Sequence, residues 1–252
     1  MASTAGREPG GERAELPDSL PEHHRDIQGG TARAAVFGVS DGLLTNVSLI
    51  LGVAGASPTS GLVRLAGMAG LVAGAISMAA GEYISMSAQR ELIHREVGVE
   101  REELRRNPEF ERRELVSVYL KRGVPPAIAE DFVDALMRDP EVALAVHARE
   151  ELGIDPSRTG SPTRAAVSSF VSFAVGALIP LIPWFFGTGW GAVIVSIVLG
   201  AVAALAIGAA IGYFSERSIV RAALRQLLIT AGAAAVTFGV GRLVGVGVTT
   251  AT

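Results

Sequence analysis

The sequence predicts an all-α membrane protein: five transmembrane helices, with a charged helical domain inserted between the second and the third. Three observations predict it. Five apolar runs each span about the 20 residues that a helix needs to cross the hydrocarbon core of a bilayer. Charged residues make up 19% of the 252 and apolar residues 49%, and mean hydropathy is +0.40. A soluble domain carries about a quarter charged residues. Most of the charge falls in one block, from Ala88 to Arg164.

Residues 1–32 are polar and rich in Gly and Pro, and are expected to be a disordered cytoplasmic tail. Arg7, Glu8, Glu12, Arg13, Glu15 and Asp18 occupy the place where a signal peptide would have its apolar core. The first two spans lie within 33–87, at about 34–55 and 65–87. The SPTSGLVR link between them is short, so they form a helical hairpin. Three more spans, at about 165–186, 189–213 and 224–249, make up 165–249. Pro180, Pro183 and the GTGWG stretch at 187–191 predict a kink and a tight turn, with Trp184 and Trp190 at the membrane interface. Small-xxx-small pairs such as Gly38/Gly42 and Gly208/Gly212 permit close helix approach.

Arginine sets the orientation. Arg90, Arg95 and Arg101 follow the second span and Arg158 and Arg164 precede the third. Arg217, Arg221 and Arg225 lie in or just after the link at 214–223, whereas the links on the opposite side hold only Arg64. The positive-inside rule puts the N-terminus, the insert and the 214–223 link in the cytoplasm and the C-terminus outside.

The insert, 88–164, reads as helical. The second span is expected to run on unbroken to about Arg106. Asn107-Pro108 then caps a helix ending near Gly123, Pro125 or Pro126 opens an amphipathic one, and Asp139-Pro140 starts a last one that stops at Gly153. Such a domain is too thin to bury much core by itself, so self-association would help it.

Net charge is −3 and cysteine is absent. The first argues against nucleic acid as a partner. The second excludes disulfides, thiolate metal sites and iron–sulfur clusters. There is no Walker loop or HExxH pair, so no nucleotide-driven or zinc-hydrolytic chemistry is indicated and the chain does not read as an enzyme.

Chemistry is carried by acids instead. Asp41 lies about two turns inside the first span, where an ionisable group costs roughly 2.5–3.5 kcal/mol and marks a functional site by default. The plain alternative is a structural carboxylate bonded to a neighbouring helix. Met78 and Glu82 are four apart on the second span, and Met86 continues their row. Thioether beside carboxylate suits a borderline transition metal, though a methionine row also suits packing. Glu96, Glu100 and Glu103 on the long helix, Glu111 and Glu114 on the next, and His147, Glu150 and Glu151 on the last form a carboxylate–imidazole set suited to Fe²⁺, Mn²⁺ or Zn²⁺. The interleaved arginines leave open a plain solvated Glu/Arg face. His23 and His24, in the tail, are weaker ligand candidates.

FGVSDGLLTNVSLILGVAGA in the first span and AGAISMAAGEYISMSAQRE in the second resemble the vacuolar iron transporter family, and the likeness extends over about residues 23–248. The resemblance implies a homodimer in a lipid bilayer, with a metal path near the two-fold axis. It also implies export of Fe²⁺, often also Mn²⁺, from the cytoplasm in exchange for protons. No prosthetic group is implied. Residues 88–164 match the family's cytoplasmic metal-binding domain. Asp41 matches the family's membrane carboxylate, Met78 its membrane methionine and Glu82 the glutamate of GEY. Glu100, Glu103, Glu111 and Glu114 match metal-binding glutamates, and Glu151 that of EELG. His147 departs from the family, which has methionine there; imidazole is a harder, titratable ligand. Composition rich in Arg, Ala and Gly suggests a bacterial plasma membrane. Two other classes share these residues: a metal sensor or store without transport, and a di-iron carboxylate oxidase. The oxidase needs two Glu-x-x-His pairs, and Glu91–His94 supplies one.

Overall fold

The computed structural model describes residues 30–156 and 159–249, and these are helical with short links. The tail at 1–29, with His23 and His24, and the residues Ser157 and Arg158 lie outside the described residues. Helix α1 is Thr31–Ala56 and α2 is Ser60–Arg106. Helices α3 (Pro108–Lys121), α4 (Pro126–Leu136) and α5 (Pro140–Glu150) follow. The chain returns through α6 (Pro162–Leu178), a 3₁₀ turn at Ile179–Leu181 and the short α7 (Pro183–Phe186). It ends with α8 (Gly189–Phe214) and α9 (Ile219–Thr249). Five of these helices are long and apolar enough to cross a membrane: α1, α2, α6 with its 3₁₀ turn, α8 and α9.

Helix α1 is the hub, packed on α6 and α9 most extensively and on α2 and α8 as well. Its core face carries Leu43, Val47, Ile50 and Leu51 against Leu181, Trp184 and Val193. Glycine permits a close crossing here. A Cβ at Gly42 would fall on the carbonyl of Phe173, and one at Gly176 on the carbonyl of Val39, so α1 and α6 touch backbone to backbone. Asn46 is wholly buried on α1 and donates from Nδ2 to the Ala177 carbonyl at 2.6 Å, tying the same two helices.

The boundaries differ from the sequence expectation where proline and glycine act. The third span is not one helix: Pro180 and Pro183 lack the N–H of an unbroken ladder, and the backbone tightens to 3₁₀ geometry there. Helix α1 starts at Thr31, inside the stretch read as tail, and α9 starts at Ile219, five residues before the expected span. Asn107 precedes α3, but its side chain makes no capping bond; its carbonyl accepts from Phe110 N at 2.9 Å instead. Lys121 ends α3 in a Schellman turn, with Gly123 at φ 87° and Val124 N donating to Tyr119 O at 3.1 Å.

The spans alternate in direction, and contacts fix which ends share a level. The Gly30 end of α1 meets Met86 of α2, and Ala34, Met86 and Ala165 pack together. The other end of α1 meets the far end of α9, with Ala56 against Gly245. The α8–α9 link therefore lies on the same side as α3–α5.

Candidate metal centre

Helix α2 is 47 residues, about 70 Å at 1.5 Å per residue, more than twice the thickness of a hydrocarbon core. Its apolar part ends near Ser87, so Glu100 stands about 20 Å along the axis beyond the spans. Three short helices bring partners to it. Pro108 at the first position of α3 puts Glu111 in that helix's first turn, where the helix dipole favours a carboxylate. Asp139 caps α5 by accepting from Glu141 N and Val142 N, which aims His147 inward two turns later. Gly153, at φ 66°, turns the chain after Glu151. Leu115 and Val116 of α3 pack with Ala129 and Val133 of α4 beneath this centre. Ion pairs from Arg112 to Asp134 and from Arg122 to Glu150 tie α3 to α4 and α5.

The result is a group of four: Glu100, Glu111, His147 and Glu151 each offer a ligand atom, all within 4.8 Å of one another. His147 Nδ1 lies 3.0 Å from Glu151 Oε1, 3.1 Å from Glu100 Oε1 and 3.7 Å from Glu111 Oε2. The His147 side chain is fully buried, those of Glu100 and Glu111 are 5% exposed, and Glu151 forms the open edge. One ring nitrogen carries at most one proton, so it cannot satisfy three carboxylates. Its geometry suits Glu151, and Glu100 Oε1 has no hydrogen bond of its own. Burying several carboxylates this close is costly unless a cation sits among them.

Electrostatics say the same. Burial pushes the Glu100 carboxyl up to about 7, and the charges of Glu151, Glu111, Glu103 and Glu114 add to the rise. Burial also raises Glu111, with Glu151, Glu114 and Glu103 adding and His147 opposing. Glu103 and Glu114 thus stand outside the group of four yet close enough to act on it.

A pH dependence follows. Glu100 moves from 4.5 to about 7, so the fold favours its neutral form. The metal-free protein is expected to lose stability as pH rises through that window. Metal binding runs the opposite way, because a cation needs the ionised ligand. Titration of the full chain with Mn²⁺ between about pH 5.5 and 8 should show affinity rising with pH and levelling off above about 7. Glu100→Gln should lower the affinity and remove that step. A wild-type affinity flat across the range would refute the account.

The membrane residues are arranged separately. Close contacts pair residue 30 of α1 with 86 of α2, Arg33 with Glu82, and Asn46 with Gly70. On that antiparallel register Glu82 lies at the mouth of the spans, Met78 one turn deeper and Asp41 about one turn deeper again. Glu82 is 16% exposed and accepts from Arg33 Nη2 at 3.0 Å. Met78 packs beside Ala75, Phe173 and Ala177. Asp41 is half-buried and accepts from Thr45 Oγ1 of its own helix at 3.4 Å. Met86 leaves the row to fill the Ala34–Ala165 contact. Arg33 as the partner of Glu82 was not foreseen; a cation at the start of one span opposite an acid in the next is the signal that could have found it.

Five apolar helices, with a buried carboxylate–imidazole cluster beyond the end of one, define a helical integral membrane protein with a centre suited to cations. The VIT family model matches residues 32–242. The chain is 35% identical to vacuolar iron transporter 1 of Eucalyptus grandis, over 92% of this chain and 94% of that one. It is 32% identical to vacuolar iron transporter 1 of Arabidopsis thaliana, over 90% and 92%. It is 36% identical to the vacuolar iron transporter of Acanthamoeba castellanii, over 88% and 82%. The chain belongs to the VIT family, a family of membrane transporters and not of enzymes.

Proposed function

We propose that this protein transports divalent metal, Fe²⁺ first and Mn²⁺ also, out of the cytoplasm in exchange for protons. The observation that carries the reading is the group Glu100, Glu111, His147 and Glu151, a metal-suited cluster gathered around the extension of a helix continuous with a membrane span. The names of the relatives supply iron as the cargo. In this reading residues 88–164 are a cytoplasmic metal-binding domain, with Glu103 and Glu114 adding negative potential around the cluster. The cluster captures metal and holds it near the mouth. The ion then passes Glu82 and Met78 to Asp41. Protons arriving from the far side neutralise the carboxylates and release the ion, since a neutral acid is a poor ligand. Arg33 holds Glu82 until a cation displaces it. His147, a harder ligand than the family's methionine, shifts preference toward Zn²⁺ or Mn²⁺.

The N-terminus and 88–164 face the cytoplasm and the C-terminus faces away. Export to a vacuole and export across a bacterial plasma membrane are the same operation for this topology. A homodimer is part of the proposal. Leu65, Met68, Val72 and Ile76 leave an apolar face of α2 exposed, which a second copy would cover in part.

The test is metal uptake by proteoliposomes of the purified protein, with Fe²⁺, Mn²⁺ and Zn²⁺ in turn, with and without a pH gradient. Gradient-dependent Fe²⁺ or Mn²⁺ flux is expected. Tight carboxylate-dependent binding without flux would turn the assignment to a sensor or store.

A further inference from the structure

A second charged feature lies away from the metal centre. Where α8 gives way to α9 there is a cavity of about 520 Å³, lined by Ser215, Arg217, Ser218, Arg221 and Arg225 over a floor of Gly212 and Ala222. No acid lines it. Two backbone hydrogen bonds shape the link: Ser215 N donates to Ile211 O at 3.0 Å and Arg217 N to Gly212 O at 2.9 Å. Glu216 holds a left-handed φ of 52° between them. Gly212 lets Ile219 and Ala222 come close, which draws the first turn of α9 against the end of α8.

The charges here do not balance. Arg221 and Arg225 are i and i+4 on one face of α9, and like charges at that spacing repel. Arg221 is also in the first turn, where the helix dipole disfavours a cation, and that turn holds no acid. Arg217 adds a third guanidinium. Among the described residues none of the three forms an ion pair, whereas Arg105, Arg106, Arg112, Arg122 and Arg149 all do. Three forked donors, two hydroxyls and a helix N-terminus facing one concavity match the oxygens of a phosphate group.

The surroundings select the kind of phosphate. Tyr213 and Phe214 are 67% and 62% exposed on one flank, and Ile219, Val220 and Leu224 are exposed on the other. The site stands at the ends of two spans, where aromatic residues mark the membrane interface. A polar cationic pocket bordered by lipid-facing apolar side chains fits an amphiphile, and basic pockets between spans are suited to anionic headgroups. We propose that this cavity binds the phosphate headgroup of an anionic membrane lipid, with its acyl chains along the exposed sides of α8 and α9. The site is independent of the cargo and of the direction of transport.

The test uses full-length protein, delipidated in neutral detergent. Melting temperature and lipid adducts by native mass spectrometry are read with added phosphatidylglycerol, phosphatidylcholine or glycerol phosphate. Phosphatidylglycerol should raise the melting temperature in a concentration-dependent way and persist as an adduct. The combined variant Arg217→Gln, Arg221→Gln, Arg225→Gln should lose most of both effects, and Arg221→Gln alone should lose part. Arg95→Gln, on the same side of the spans, should keep them. All three positions are exposed, so the variants should fold, and unchanged Mn²⁺ binding at the Glu100 cluster checks that they do. An undiminished phosphatidylglycerol response in the combined variant overturns the proposal. So does an equal response to phosphatidylcholine, or a full response to glycerol phosphate, which would mean a free-phosphate site.

Discussion

Asp41→Ala is expected to abolish gradient-driven metal flux into proteoliposomes while leaving metal binding by the Glu100 cluster unchanged. Asp41 lies on α1 inside the spans, whereas Glu100 stands on the extension of α2 about 20 Å beyond them, and Asp41 touches neither that extension nor α3–α5 by any hydrogen bond or ion pair among the described residues. A carboxylate has about four acceptor positions. Thr45 takes one, at 3.4 Å, and the others are available to an ion. Asp41→Asn sharpens the test. It keeps the shape and the acceptor for Thr45 but discards the charge, so it should fold as the wild type does and still transport nothing. Wild-type flux in both variants would reduce Asp41 to a structural residue. Loss of flux with loss of the folded state in Asn as well as Ala would say the same by another route.

Gly42→Val and Gly176→Val should each disrupt the fold itself. Each added side chain would meet backbone of the facing helix, which cannot rotate away as a side chain can. Overpacking of a buried contact costs about 1–3 kcal/mol, and a clash with backbone belongs at or above the top of that range. The expected readout is a lower melting temperature and aggregation in detergent. Gly232→Ala supplies the contrast: a Cβ there meets nothing within 4 Å. It should be neutral or gain up to about 1 kcal/mol from helix propensity. Equal stability of all three variants would show that the α1–α6 crossing is looser than described.

The five spans were legible because apolar length is a local property, and so were the helix starts at Pro108 and Pro140 and, to within one residue, at Pro126. The break at Pro180 was foreseen as a kink, but its 3₁₀ form depends on how Leu181 and Trp184 dock on α1. The site was legible in a different degree. Glu100, Glu111, His147 and Glu151 were singled out as ligand types, yet spacing along the chain could not tell a converging cluster from a solvated face. Convergence depends on how α3 and α5 fold back on α2. Glu103 and Glu114 carry the same residue type and the same resemblance, but lie outside the group of four. The Arg33–Glu82 pair was missed because it joins residues 49 apart in the chain.

Helix α2 has a mechanical consequence. It is one unbroken helix without proline from Ser60 to Arg106, so its membrane half and its outer half form one continuous rod. From Ile76 to Glu100 the arm is about 36 Å, and a tilt of about 5° swings the outer end by about 3 Å. That is comparable to the separations among the Glu100, Glu111, His147 and Glu151 donors. A small rocking of the span would therefore displace the whole cluster, with α3 and α5 packed on the same rod, relative to the membrane. In the proposed transport cycle, capture and passage of the ion would share one lever.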